Sequence, residues 1–336
     1  MITRTLGKTG PTVSALALGA MGMSDFYGEA DRAESLATID AALEAGITLI
    51  DTGDFYGSGH NEMLIGEALA SGSKRDKALI SVKFGALRDP AGGFAGYDCR
   101  PAAIKNFLAM TLKRLRTDHI DIYRPARLDP AVPIEETIGA IADLVKAGHV
   151  RHAGLSEVGA DTIRRAHAVH PIADLQIEYS LISRGVEDAI LPTLRELGIG
   201  LTAYGVLSRG LISGHWSRQR GGKDFRQVSP RFQGENLDHN LALVEKLRAL
   251  AEDKGVSTAQ LAIAWVMAQG EDIVPLVGAR TRQRLSESLG ALDVSLTAAE
   301  LAELAGVFPA DIAAGERYPV AHMAHLDSEV SHQNSL

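Results

Sequence analysis

Along the chain, short apolar runs alternate with longer stretches whose apolar positions recur every three or four residues. The short runs predict eight strands, near residues 13–18, 47–51, 78–83, 119–123, 150–155, 174–179, 199–204 and 273–277. Between them the spacing is helical, as in Leu36, Ile39 and Leu43, or in Ile134, Ile138, Ile141 and Val145 ahead of the stop signal Gly148. Residues 7–11, before the first strand, read as a hairpin turn. Strict alternation of strand and helix over this length predicts an α/β fold of the (β/α)8 TIM-barrel kind rather than an open doubly wound sheet, and no GxGxxG follows the first strand. No linker-like or low-complexity segment divides the chain, so residues 1–336 are expected to form a single barrel domain. Two stretches fall outside the repeat, a long connection over 204–236 and a polar tail over about 311–336. Long loops at the C-terminal face of a barrel shape its active site.

Composition narrows the class of function. A hydrophobic content of 46% over 336 residues supports a sizeable core. The formal net charge of −8 argues against nucleic acid or an anionic membrane surface as partner and favours a small molecule. Cys99 is the single cysteine, so no internal disulfide forms, and a reducing, cytoplasmic location is expected. The N-terminus lacks an apolar signal region and no apolar run reaches spanning length.

The densest chemistry lies in ITLIDTGDFYGSGHNE at 47–62 and ALISVKFG at 78–85. At strand period Ile47, Leu49 and Asp51 share one face, as do Leu79, Ser81 and Lys83. Strands this apolar are covered on both sides, so Asp51 and Lys83 must be paired or very costly to bury. A tyrosine beside that ammonium would have its phenol pKa lowered and could donate a proton near neutral pH, and Tyr56 can reach back. Spacing alone accommodates a second reading equally well. In it Asp51 caps the next helix, Tyr56 is an ordinary loop aromatic and Lys83 extends to solvent.

With Asp51, Tyr56 and Lys83 at or beyond the ends of strands two and three, the chain resembles the aldo/keto reductase family over nearly its whole length. The segments that carry the resemblance are DTGDFYGSGHNE with the strand-three lysine, GLSE at 154–157, QIEYSL at 176–181, AYGVLSRGLISG at 203–214 and VGARTRQRLSESLGAL at 277–292. The resemblance implies NADPH-dependent reduction of a small carbonyl substrate. Tyr56 would then supply the proton, Lys83 would lower its pKa and Asp51 would hold Lys83. It further implies that Ser156 and Gln176 bond the nicotinamide carboxamide and that Tyr204 stacks on the ring. Gly205, Val206, Leu207, Ser208, Gly210 and Leu211 would follow the pyrophosphate. Gly278 and Ala279 would lead to Arg280 and Arg284 at the 2′-phosphate, with Glu287 and Ser288 at the adenine. Two departures stand out. Ala126 occupies the place of the family's strand-four histidine, leaving Arg124 and Arg127 nearby as substitute donors or structural ion-pair partners. Glu157 replaces the usual asparagine on the carboxamide, where it could accept but not donate.

The substrate pocket is expected to include Met21, Phe26, Tyr27, Phe84 and Trp216. His60, His149 and His152 read as surface or capping residues, and no metal site is expected. Two other functions compete with the reductase. One is an NADPH-binding regulatory or sensing module, and the other is a barrel lyase or isomerase with a phosphate site after strands seven and eight.

Overall fold

The computed structural model describes residues 1–216 and 224–330. An antiparallel hairpin, β1 (Thr3–Thr5) with β2 (Thr12–Ser14), opens the chain. It turns at Gly7, whose φ is +63° and whose Cβ would lie 2.4 Å from the Gly198 carbonyl oxygen, so only glycine fits where the hairpin meets the barrel floor. The single strand expected over 13–18 is divided. Ser14 exchanges hydrogen bonds with Thr48 and donates to the Leu16 carbonyl at 2.6 Å, which breaks the ladder after β2 and starts β3 (Ala17–Gly19) in the barrel.

The barrel continues through β4 (Leu49–Gly53) and β5 (Leu79–Phe84). A second antiparallel hairpin follows, β6 (Ala86–Arg88) with β7 (Phe94–Tyr97), which the apolar pattern did not predict. Then come β8 (Ile120–Pro125), β9 (Val150–Ser156), β10 (Ile172–Glu178), β11 (Gly200–Tyr204) and β12 (Ile273–Gly278). The eight barrel strands are parallel, and β12 pairs back onto β3 with Val277 opposite Leu18, closing the sheet.

Around the barrel lie α1 (Arg32–Glu44), α2 (His60–Ala68), α3 (Lys74–Lys77), α4 (Pro101–Leu115), α5 (Ile134–Lys146), α6 (Ala160–Val169), α7 (Ile190–Leu197), α8 (Gly234–Lys254), α9 (Thr258–Ala268), α10 (Arg282–Leu289) and α11 (Ala298–Val307). Their apolar stripes, through Ile39, Ile65, Ile104, Ile138 and Ile163, meet the outward strand residues Ile50, Ile80, Val82, Leu155 and Leu175 in one buried cluster. A smaller cluster of Leu6, Val13, Ala17, Leu49, Ile122, Val274 and Leu276 lies on the other face of the strands and plugs the lower barrel.

After α11 the chain returns to the barrel through α12 (Val320–Met323) and α13 (Asp327–Val330). The Asp327 carboxylate accepts from the Gly159 N–H at 2.9 Å, so the described part of the expected polar tail is docked. Residues 217–223 of the long connection and 331–336 of the tail lie outside the described residues. Among the described residues no helix is long and apolar enough to cross a membrane.

Candidate active site

Strand period builds the site in layers. Asp51 and Lys83 point into the barrel from β4 and β5, where Asp51 pairs with Ser81 and Gly53 with Lys83. The Lys83 Nζ donates to the Asp51 carboxylate and to Gln176 Oε1 at 2.8 Å. Gln176 Nε2 and Ser81 Oγ each donate to Asp51 Oδ2 at 2.8 Å, so both buried charges are paired and hydrogen-bonded. Burial pushes the Lys83 ammonium below its ordinary pKa, with the Asp51 charge opposing. Another buried pair joins Arg124 to Asp174 at 3.0 Å, and Thr202 donates to the same carboxylate. Gly154 makes room for it, since a Cβ there would sit 2.8 Å from Asp174 Oδ1. Arg124 is therefore a structural ion-pair partner.

Tyr56 opens the tight turn Tyr56–Gly59, which runs through left-handed Gly57, Ser58 and Gly59. The turn lays the buried phenol ring 5.3 Å from the Lys83 ammonium, with Phe55 and Phe26 edge-on to it. The direction of its pKa differs from the expectation. Burial pushes the Tyr56 phenol well above its ordinary value, the Asp51 charge adds to this, and Arg127 is the main opposing cation.

These groups open onto a cavity of about 650 Å³. Of the residues expected at the cofactor, Ser156, Gln176, Tyr204, Gly205, Val206, Leu207, Gly210, Gly278, Arg280, Arg284, Glu287 and Ser288 all line it. Ser208, Leu211 and Ala279 are buried behind its wall. Ser208, Arg209 and Gly210 hold φ values of 46°, 55° and 90°, a run of left-handed backbone of the kind that collects at ligand sites. Arg280 donates to the carbonyls of Tyr27 and Glu29 at 3.0 and 3.2 Å, and Arg284 pairs with Glu287 at 3.1 Å.

Glu157 does not reach the cavity. It is fully buried and accepts from Arg317 at 2.8 and 3.1 Å, Tyr204 at 2.7 Å, Ser328 at 2.9 Å and the Glu178 N–H at 3.0 Å. Arg317 holds its carboxyl far below the usual range against the cost of burial. The glutamate anchors the C-terminal segment, which corrects the expectation of a cofactor contact. Phe84 and Trp216 also miss the cavity. Phe84 packs on Tyr123 with ring centroids 4.2 Å apart, and Trp216 packs on Phe232.

Met21, Phe26 and Tyr27 line the cavity as expected, and so does Ala126. Added to them are Arg88, Phe94 and Tyr97 from the unpredicted hairpin, Phe225 from the long connection, and Tyr318 and His322 from the C-terminal segment. These carry no periodic signal, because loop residues are placed by long-range contacts. Arg127 lines the cavity as well, where Arg124 does not. His60 is exposed and meets the Ser24 hydroxyl at 2.8 Å, and His149 is exposed. His152 is half-buried. Among the described residues no group of three or more His, Cys, Asp or Glu is placed to hold a metal ion.

The aldo/keto reductase family model matches residues 15–308. The glycerol dehydrogenase AKR11B4 from Gluconobacter oxydans superimposes with a TM-score of 0.83 at 31% identity, covering 91% of this chain and 94% of that one. The thermostable aldo-keto reductase Tm1743, solved with the inhibitor epalrestat, superimposes with a TM-score of 0.74 at 27% identity, covering 91% of this chain and 100% of that one.

Proposed function

The chain belongs to the aldo/keto reductase family and is an oxidoreductase, and from that premise we propose that it reduces aldehydes or ketones to alcohols with NADPH, Tyr56 being the proton donor. One observation carries this reading. The Tyr56 ring has its centroid 5.3 Å from an ammonium fixed by Asp51, on the wall of a cavity large enough for an extended ligand.

The residues present fit the cofactor. Ser156 Oγ is buried, lines the cavity and has no hydrogen-bond partner among the described residues, which suits it to a carboxamide. Gln176 bonds Lys83 and Asp51 but keeps one N–H and one lone pair for the same group. Tyr204 offers a ring face, Gly205 through Gly210 a backbone cradle, and Arg280 with Arg284 two guanidiniums for a 2′-phosphate. NADPH supplies the hydride when bound. Tyr56 Oη gives its proton to the substrate oxygen, and Lys83 stabilises the phenolate left behind. The reading takes residues 1–336 as one barrel domain acting in the cytoplasm. The cavity contributions of the C-terminal segment support including it.

Ala126, in place of the family histidine, favours a second reading in which NADPH is bound for regulation and little reduction follows. Mixing the protein with NADPH and a panel of aldehydes and ketones tests both. Carbonyl-dependent loss of NADPH absorbance supports the reductase, binding without turnover supports the regulatory module, and no binding contradicts both.

A further inference from the structure

Where the C-terminal segment crosses the barrel mouth, four guanidiniums meet three carboxylates. Arg317 pairs with Glu157, Glu178 and Glu329 at 2.8, 3.3 and 2.6 Å, and Arg209 and Arg231 each reach Glu178 at 3.4 Å. The fourth cation, Arg127, has no carboxylate within ion-pair reach among the described residues. Its Nη1 donates to the Ala126 carbonyl at 2.6 Å and its Nη2 to the Tyr318 hydroxyl at 3.4 Å. The surplus positive charge thus faces the cavity, close enough to Tyr56 to oppose the rise of the phenol pKa.

The Arg127 guanidinium lies 5.8 Å from the Tyr318 ring centroid, and aromatic side chains wall the cavity it faces. Phe225 packs on Tyr318 at 5.9 Å, Phe94 packs on Tyr97 at 4.9 Å, and all four line the cavity. The Tyr318 hydroxyl is fixed at 2.9 Å from that of Tyr204. A guanidinium with no carboxylate in ion-pair reach, its charge met by Glu157 only at longer range, is completed in an aromatic-walled pocket by a planar carboxylate, which takes two parallel charge-assisted bonds, while an aryl ring fits the walls.

We propose that Arg127 forms an anion subsite, and that the favoured substrates are aromatic aldehydes bearing a carboxylate; the Tyr318 hydroxyl, whose proton goes to Tyr204 while Tyr204 donates to Glu157, accepts from Arg127 and positions it. This rests on the reductase reading above. Arg127 is a substrate-binding residue in it, distinct from the Tyr56 proton donor.

The test compares 4-carboxybenzaldehyde with its neutral methyl ester, methyl 4-formylbenzoate, in wild type, Arg127→Met, Arg127→Lys and Tyr318→Phe. A charged hydrogen bond is worth about tenfold or more in affinity. Wild type is expected to favour the carboxylate in kcat/KM by about that factor, Arg127→Met to bring the ratio near unity, and Arg127→Lys and Tyr318→Phe to retain part of it. A wild-type ratio near unity overturns the proposal. So does an Arg127→Met variant that loses both activities by the same factor, which would place the guanidinium on the carbonyl oxygen or in the fold. Calorimetric titration with 4-(hydroxymethyl)benzoate separates the two readings. If neither aldehyde is reduced the reductase reading fails, yet about tenfold weaker binding to Arg127→Met still supports the subsite, and equal binding overturns it.

Discussion

Replacing Glu157 by glutamine removes the charge that holds the C-terminal segment. The amide nitrogen cannot accept, so one of the positions now taking bonds from Arg317, Tyr204, Ser328 and the Glu178 N–H turns into a donor facing donors. Breaking a buried pair from one side costs about 3–5 kcal/mol, and the lower end applies because Arg317 keeps Glu178 and Glu329. With an unfolding entropy near 2.1 cal/mol/K per residue, 336 residues give about 0.7 kcal/mol/K, so a loss of about 3 kcal/mol lowers Tm by about 4 °C. The pH dependence has a definite sign. The folded carboxyl titrates far below its ordinary 4.5, so its contribution is complete above that value and is lost as pH falls. Lowering pH from 7 to 3.5 should shrink the gap between wild type and variant by about 1 kcal/mol. Thermal melts followed by circular dichroism at both pH values measure this, with hydrogen exchange over residues 315–330 reporting the segment itself. An unchanged Tm at pH 7, or an exchange pattern identical to wild type, would refute the anchoring role.

Lys83→Met leaves Asp51 buried with only Ser81 and Gln176, so carbonyl reduction should fall at least a hundredfold while the basic limb of any residual pH profile moves upward; an unchanged profile in a folded variant contradicts the coupling to Tyr56. Replacing Arg280 and Arg284 together by alanine should weaken NADPH by about 2 kcal/mol, roughly thirtyfold, after allowing for the exposure of Arg284, with NADH affinity barely changed in equilibrium titrations. Equal binding of both cofactors by wild type would remove the 2′-phosphate role. Ala126→His should raise activity on simple ketones several-fold at constant NADPH affinity, because it adds a donor at the substrate oxygen; no gain in a folded variant means that Arg127 or water already fills that place.

The barrel was legible because its period-two strands and period-three-to-four helices are local patterns, and the pairing of Asp51 with Lys83 followed from two charges on apolar faces. The role of Glu157 was not legible. Its partners Arg317 and Ser328 are 160 and 171 residues away, and its neighbours in sequence matched a motif built for another contact. Arg124 and Arg127 sit three apart on one segment. Sequence could not say which faces Asp174 and which the cavity, because the strand ends at Pro125 and the period-two rule ends with it. The β6 and β7 hairpin escaped because it is short and partly exposed, with no apolar alternation to mark it. The upward direction of the Tyr56 pKa depended on desolvation, which only packing reveals.

The central claim is that Tyr56 delivers the proton within an intact cofactor site, and Tyr56→Phe tests it most directly. Removing one hydroxyl leaves the ring, its contacts with Phe26 and Phe55, and the pair of Lys83 with Asp51 in place. A positioned general acid contributes about a hundredfold to ten-thousandfold. NADPH affinity of the variant, measured by titration, should match wild type within about threefold, while kcat for aldehyde reduction falls at least a hundredfold. Reduction at more than a tenth of the wild-type rate, with cofactor binding preserved, would remove Tyr56 from the acid role.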